Sequence, residues 1–233
     1  MNILAIDTSM GAVSAAVMSD ATGALSISES IAMDRGHAEA LLPLIDRVVS
    51  QLPDGFASLD RVAVTVGPGS FTGIRIGIAA AKAIGLVAEM PVVGVSTLVA
   101  LAAPHVGISQ TGVVVSAIDA HHGNVFVAAY VAGGRSLLTP RLLSVRDAVR
   151  QIGAGPVLLT GSGAQLLAIE AWTVGLAAEV VGDLVAPEIN FVARLGMLVI
   201  PAQAPAKPVY LKAPDAKPQE GGRVQRIAPV KQE

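Results

Sequence analysis

Hydrophobic and polar positions along the first hundred residues follow the periods of short strands and two helices. Alternating or continuous apolar runs predict strands at 2–7, 12–18, 25–31, 61–67 and 91–96. Between residues 35 and 52, apolar side chains recur three and four positions apart, which predicts an amphipathic helix. A second, more apolar helix is expected from the glycine loop at 67–70 to about Glu89. Strands that alternate with helices in this way indicate an α/β fold with mixed sheets flanked by helices.

The second half of the chain repeats the first. Residues 5–18 read AIDTSMGAVSAAVM and residues 117–130 read AIDAHHGNVFVAAY, so 6 of 14 positions coincide at an offset of 112. A weaker echo links 62–70 to 157–163, each a strand that runs into a Gly/Ser loop. Chance is the alternative, because Ala, Val and Gly are abundant, but the features also occur in the same order. We therefore predict two similar halves, 1–106 and 107–212, with the last helix able to pack on the first half.

Composition narrows the class of protein. The chain has 52% hydrophobic and 15% charged residues with a mean hydropathy of +0.62, too apolar for a disordered protein. Aromatic residues make up only 3%, which disfavours a stand-alone binder of single-stranded RNA. Residues 1–206 carry ten Lys/Arg against fifteen Asp/Glu, whereas six against three follow from Lys207 onward. The acidic body repels phosphate, so we expect nucleic acid to be held by a partner or touched by the basic tail. Residues 213–233 lack periodicity and are predicted to be disordered.

The chain lacks the residues that several kinds of chemistry require. The absence of cysteine excludes disulfides, thiolate nucleophiles and Cys-bound zinc. The four histidines form neither HExxH nor HxxxH, so no metal site and no catalytic residue are predicted. The start MNILAIDTS has no basic region typical of a signal peptide, and the apolar stretch 76–103 is interrupted by Lys82, Glu89 and Pro91. We expect a soluble, cytoplasmic protein without a membrane span.

Two loops are candidates for phosphate binding. Asp7 ends the first strand before Thr8 and Ser9, a turn whose amides and hydroxyls can face a phosphate. Gly69 and Ser70 precede the second helix, where amide groups and the helix dipole attract an anion. The alternative at both places is structural: Asp7 and Thr8 cap the hairpin, and the glycines make a tight turn.

The second helix carries a stripe of small residues, Gly73, Gly77, Ala81 and Gly85, that would let another backbone approach closely. A helix that is apolar nearly all round needs cover on two sides. One side can face its own sheet, and the other, with the first helix, is predicted to be a subunit interface. Burial wholly within the monomer is the alternative. The predicted interface residues are Leu41, Leu42, Ile45, Gly73, Ile74, Gly77, Ile78 and Ala81.

The motifs MNILAIDTS, HAEALLPLI, GPGSFTGIRIG, PVVGVSTL and PVYLK occur in the order typical of the bacterial TsaB (YeaZ) family. The resemblance is strong over residues 1–131 and again at 208–212. It implies duplicated ribonuclease-H-like halves of the actin, Hsp70 and sugar-kinase superfamily. Family members often have Arg after the second Ile-Asp-Ala, where this chain has His121 and His122, and residues beyond Lys212 match no family motif.

The resemblance also implies a function. TsaB-like proteins form a heterodimer with the catalytic subunit TsaD, to which they are similar, for threonylcarbamoyl transfer to the adenosine beside the anticodon of ANN-decoding tRNAs. TsaE is expected in the complex, and a homodimer when TsaD is absent. Thr97 and Leu101 stand where TsaD-like proteins have their metal-binding HxxxH, which implies a non-catalytic subunit with no cofactor of its own and ATP or ADP at most at the partner interface. The alternative function is an independent actin-like ATPase or small-molecule kinase.

Overall fold

The computed structural model describes residues 1–19, 25–107, 112–153, 155–182 and 185–212, and in them two series of eight elements follow the same order. The first series is β1 (Asn2–Asp7), β2 (Ala12–Ser19), β3 (Leu25–Ala32), α1 (His37–Val49), β4 (Arg61–Thr65), α2 (Phe71–Val87), β5 (Val92–Val95) and α3 (Thr97–Val106). The second is β6 (Val113–Asp119), β7 (Asn124–Val131), β8 (Ser136–Ser144), α4 (Val145–Ile152), β9 (Val157–Thr160), α5 (Ala164–Thr173), β10 (Ala178–Val180) and α6 (Ile189–Leu198).

Each series forms one five-stranded mixed sheet. The strand orders are β3-β2-β1-β4-β5 and β8-β7-β6-β9-β10. In both, the first three strands are antiparallel neighbours and the last two run parallel to the first. Asp7 and Asp119 end the equivalent strands β1 and β6, which is the correspondence that the 112-residue offset predicts. The predicted duplicated ribonuclease-H-like α/β fold is confirmed.

The core of the first half lies on both faces of its sheet. Alternate side chains of β1 point to opposite faces, so Leu4 and Ile6 pack with α1 and α2. Ile3 and Ala5 pack on the other face, against side chains of α6. Every residue of β1 after Asn2 is buried, because helices cover the strand on both sides.

The third helix of each series lies against the sheet of the other. Val192 and Ala193 of α6 are buried against the first sheet, and Leu98 and Leu101 of α3 are buried with β6 and β7 of the second. The two halves are therefore packed into each other. A boundary near residue 106 divides the sequence, but a helix from each half packs on the sheet of the other.

The helices begin and end where local chemistry requires it. The Ser70 hydroxyl accepts a hydrogen bond from the Gly73 amide at 3.2 Å and caps α2. The Ser144 hydroxyl accepts one from the Asp147 amide at 3.1 Å and caps α4. α1 begins later than its apolar pattern because Gly36 adopts a left-handed conformation, with φ at 88°. Among the described residues, no helix is long and apolar enough to cross a bilayer. The predicted disordered tail, 213–233, lies outside the described residues.

Candidate functional site

The turn after β1 is held by the carboxylate of Asp7. Its Oδ1 accepts hydrogen bonds from the Ser9 hydroxyl at 2.6 Å, the Thr65 hydroxyl at 2.5 Å and the Ser9 amide at 3.2 Å. Oδ2 is buried and has no hydrogen-bond partner among the described residues. Asp7, Thr8 and Ser9 all have 0% of their surface exposed. The carboxylate thus links the turn to the end of β4.

The glycine loop before α2 packs directly on this turn. The Ser70 amide donates to the Ser9 carbonyl at 2.8 Å, and the Thr8 hydroxyl donates to the Gly73 carbonyl at 2.7 Å. A Cβ at Gly69 would stand 2.2 Å from the Ser9 carbonyl oxygen, and one at Gly73 would stand 2.0 Å from that of Thr8. These glycines are therefore required by the close approach of two backbone segments of the same chain.

This packing accounts for the conformation of the predicted phosphate residues without a ligand. Asp7, Thr8 and Ser9 are wholly buried and direct their polar groups to one another or to the loop. Gly69 is half-buried and Ser70 is exposed. The turn and the loop contact each other as the structural interpretation expects, and phosphate binding at these residues stays a prediction.

Burial raises the pKa of the Asp7 carboxyl above its ordinary value of 3.8, although hydrogen bonds from Ser9 and Thr65 and the nearby His37 act in the opposite direction. The folded protein therefore keeps the Asp7 proton at pH values where the unfolded chain has lost it. Stability from this source is complete below the unfolded pKa and decreases as the pH rises through the folded one.

We accordingly expect Asp7→Asn to remove part of the pH dependence of folding. Between pH 4 and the raised pKa of Asp7, the free energy of unfolding of the wild type should decline by up to about 1.4 kcal/mol per pH unit relative to the variant. Urea denaturation followed by circular dichroism measures both curves. Asp119→Asn, at the equivalent strand end, leaves Asp7 in place and should keep the wild-type decline. Parallel curves for the wild type and Asp7→Asn would contradict the assignment.

Asp119 occupies the matching strand end in the second half but is more exposed. Its Oδ1 accepts from the His121 amide at 2.8 Å, and its own amide donates to the Ser162 hydroxyl at 3.1 Å. His121 and His122 both adopt positive φ, 62° and 54°, in the turn that follows. A Cβ at Gly161 would stand 2.4 Å from the Ala117 carbonyl oxygen, so this half uses the same contact of loop and strand.

The structure places seven of the eight predicted interface residues inside the chain. Leu41, Ile45, Gly73, Ile74, Gly77, Ile78 and Ala81 are buried, and Leu42 is 59% exposed. The small-residue stripe does allow a close approach, but the neighbour is the chain itself: a Cβ at Gly73 would stand 2.0 Å from the Thr8 carbonyl oxygen, and one at Gly77 would stand 2.5 Å from Thr8 Oγ1. The seven buried residues therefore cannot contact a partner in this structure.

The opposite side of the same two helices is open. We call it the outer face; it consists of the exposed residues Ala38, Glu39, Leu42, Pro43 and Asp46 of α1 and Thr72, Arg75, Ala79, Lys82, Ala83 and Leu86 of α2. The sequence could have indicated this exposed face. A glycine stripe next to a strand–loop–helix unit faces its own sheet and leaves the positions on the opposite side of the helix exposed.

Comparison with known proteins identifies the chain's relatives. A family model described as "TsaD: tRNA N6-adenosine threonylcarbamoyltransferase" matches residues 30–203. The tRNA threonylcarbamoyladenosine biosynthesis protein TsaB of Escherichia coli is 37% identical over 131 residues, 56% of this chain and 55% of that protein. The match thus spans about half the length of the E. coli protein. The chain belongs to the TsaB (YeaZ) family.

Two further matches extend over nearly the whole of this chain. Uncharacterized protein Mb3455c of Mycobacterium bovis is 33% identical over 217 residues, 93% of this chain and 94% of that one. The solved structure of YeaZ from Pseudomonas aeruginosa has the same fold, with a TM-score of 0.70 and 24% identity over 90% of this chain and 99% of that one. Proteins of the TsaB family take part in tRNA threonylcarbamoyladenosine biosynthesis.

The positions that correspond to the TsaD-like HxxxH lie at the start of α3 and are buried. Thr97 is 0% exposed and its hydroxyl has no partner among the described residues, and Leu101 belongs to the apolar cluster between α3 and the second sheet. Over residues 1–19, 25–107, 112–153, 155–182 and 185–212, no group of three His, Asp or Glu side chains is placed to hold a metal ion.

Proposed function

We propose that this chain is a non-catalytic scaffold and activator subunit that pairs with TsaD through the outer face of α1 and α2. The pair, with TsaE in the complex, would transfer threonylcarbamoyl to the adenosine beside the anticodon of ANN-decoding tRNAs. In this proposal tRNA is reached only through the complex, and the chain forms a homodimer through the same face when TsaD is absent.

The observation that carries the proposal is the composition of the outer face. Of the exposed α2 residues there, Arg75 and Lys82 are the two charged ones, and Ala79, Ala83 and Leu86 leave apolar surface in water. Leu42 adds more from α1, with 59% of its surface exposed. A helix that is nearly apolar on its solvent side is typical of a surface that a partner covers.

Charge on this face favours self-association when no other partner is present. Glu39 and Asp46 on α1 are seven residues apart, and so are Arg75 and Lys82 on α2. Both pairs therefore span about 10 Å along their helices. In a two-fold dimer the α1 of one protomer can meet the α2 of the other, which sets an acidic pair against a basic pair of equal spacing.

The family relationship favours TsaD as the partner. The TsaD model matches residues 30–203, a range that includes α1 and α2. A protein with the same helix pair can take the place of one copy in a two-fold arrangement and give a pseudo-symmetric heterodimer. The buried, internally bonded Asp7 turn agrees with a role that requires no nucleotide at that turn.

Reconstitution of the tRNA modification tests the activator role. We expect TsaD, TsaE and the enzyme that supplies the threonylcarbamoyl donor to modify a tRNA transcript at full rate only when this chain is present. Mass spectrometry of the digested nucleosides measures the product, and this chain alone should form none. Full modification without the chain would refute the proposal, and modification by the chain alone would make it an enzyme.

A further inference from the structure

Four arginines of the second half lie close together on one edge of its sheet. Between Lys82 and Arg194 the sequence has four Lys or Arg residues, all arginines that fall within sixteen positions: Arg135, Arg141, Arg146 and Arg150. We call them the arginine edge. They lie before β8, on β8 and on α4, and all four are exposed. Because residues 1–206 carry an excess of five acidic side chains, this cluster stands out against the rest of the body.

The fold holds these arginines next to one another. β8 is the outermost strand of its sheet, and Arg141 pairs in register with the buried Val127, on the side that α4 covers. Its Nη2 donates to the Thr139 hydroxyl at 2.7 Å, and its Nη1 lies 3.4 Å from the Gln151 side-chain oxygen of α4. Arg146 and Arg150 are one helical turn apart on α4.

A groove adjoins Arg146 and Arg150. The two arginines line a cavity of about 360 Å³ between α4 and α5, together with Val149, Gly153, Glu170, Thr173 and Val174. A second cavity of about 310 Å³ shares Gly153 and Val174 with the first and continues past Pro156 to Ala177. Apart from their chain neighbours, no described residue lies within 4 Å of where a Cβ would stand at Gly153, Gly155 or Gly175, so these glycines border open space.

Their acidic neighbours leave the arginines incompletely paired. Arg146 Nε lies 3.5 Å from Glu170 Oε1, and Arg150 Nη1 lies 3.5 Å from Asp147 Oδ1. The two arginine side chains are 71% and 70% exposed, so these ion pairs are weak. A guanidinium has five N–H donors, and each arginine therefore keeps several for a ligand.

The chemistry of the arginine edge fits RNA better than an acidic protein. Arginine forks bind phosphate through paired N–H donors. The groove next to Arg146 and Arg150 has no deep apolar pocket of the kind that an anchor residue of a protein partner fills. The chain's one tryptophan, Trp172, lies away from this edge, because its indole Nε1 donates to the Ala178 carbonyl of β10 at 3.4 Å, and β10 and β8 are the opposite outer strands of the sheet.

We propose that the arginine edge contacts the sugar–phosphate backbone of tRNA when this chain is in its complex. The proposal rests on the proposed function, because the acidic body gives little affinity for RNA until a partner supplies the remaining contacts. It assigns to the second half a role distinct from that of the outer face, which lies on the first half.

The test measures the affinity of the assembled complex for a fluorescent tRNA transcript by anisotropy between 50 and 200 mM NaCl. Arg146→Gln with Arg150→Gln should raise the Kd about tenfold at 100 mM and reduce the slope of log K against log salt by about 1.5, since each lost phosphate contact removes 0.7 to 0.9. Trp172→Ala, on the side of β10, should leave both the Kd and the slope unchanged.

Arg194→Gln with Lys207→Gln is the matched control, with the same loss of charge at exposed positions elsewhere. The proposal is wrong if the assembled edge variant binds tRNA as tightly as the wild-type complex, or if the control weakens binding as much. The variants leave the outer face unchanged, so failure of the wild-type complex to assemble counts against the proposed function alone. In that case the weak binding of the full chain by itself is measured at 50 mM NaCl, where the edge variant, and not the control, should reduce it.

Discussion

Gly73→Ala is expected to lower the free energy of unfolding by about 3 kcal/mol or more, although alanine is the better helix former. Gly73 is the third residue of α2, and its backbone is in contact with the strand end below it. Propensity alone favours the alanine by up to about 1 kcal/mol. The new Cβ, however, would stand 2.0 Å from the Thr8 carbonyl oxygen, and a backbone atom cannot move aside as the tip of a side chain can.

Relief of this contact requires α2 to move away from β1. That movement would break the hydrogen bond from the Thr8 hydroxyl to the Gly73 carbonyl and the one from the Ser70 amide to Ser9. Since Asp7 and its partners are buried beneath the loop, their hydrogen-bonded cluster would be disturbed as well. The destabilisation therefore includes lost polar contacts in addition to overlap.

Chemical denaturation of Gly73→Ala and Gly107→Ala measures the effect. Gly107 has a negative φ of −80° and nothing within 4 Å of where its Cβ would stand, so its alanine variant should be as stable as the wild type. If Gly73→Ala is as stable as the wild type, or more stable, helix propensity decides at this position and the close approach described above is incorrect.

Ala79→Glu combined with Ala83→Glu is expected to reduce association with TsaD at least a hundredfold and to leave the monomer folded. Both alanines are exposed on the outer face, and glutamate is a good helix former, so the isolated chain has no reason to unfold. In the complex, the two carboxylates would be buried against a partner without a matching charge, and that cost appears as lost affinity.

Calorimetry or size-exclusion chromatography with TsaD measures the association, and circular dichroism confirms the fold. Gln165→Glu, an exposed helical position in the second half, adds the same kind of charge away from the outer face and should bind normally. Undiminished binding by the double variant would show that TsaD uses another surface. Charged residues at Gly77 or Ala81 do not test this point, because both lie in the monomer core and their replacement would unfold it.

The elements of the first half followed from local signals, with the exception of α3, which the sequence analysis did not predict. Periodicity gave five strands and two helices close to their observed bounds, and the repeat of Ala-Ile-Asp predicted that Asp7 and Asp119 end equivalent strands. Predicted ends were too long where a backbone feature ends the element, as at Gly36 before α1 and at Gly67 after β4, both with positive φ. Periodicity does not register such single-residue conformations.

The functional residues were less predictable, because burial depends on contacts distant in sequence. Asp7 and Ser9 have the chemistry of a phosphate site, but Thr65, 58 residues from Asp7, engages the carboxylate and the glycine loop covers the turn. The stripe of Gly73, Gly77 and Gly85 correctly indicated a close backbone contact. Its spacing could not say whether the neighbouring backbone belonged to a partner or to the same chain.

The sequence by itself determined the α/β class, the duplication, and the family to which the chain belongs, because periodicity, repeats and motifs are properties of short segments. Only the tertiary structure decided that α3 crosses to the second sheet, that the Asp7 turn is closed on itself, and that the outer face of α1 and α2 is the exposed one. Each of these three features depends on which segments, far apart along the chain, bury each other's surface. Local sequence patterns do not specify those contacts, because they form only when the whole molecule is packed.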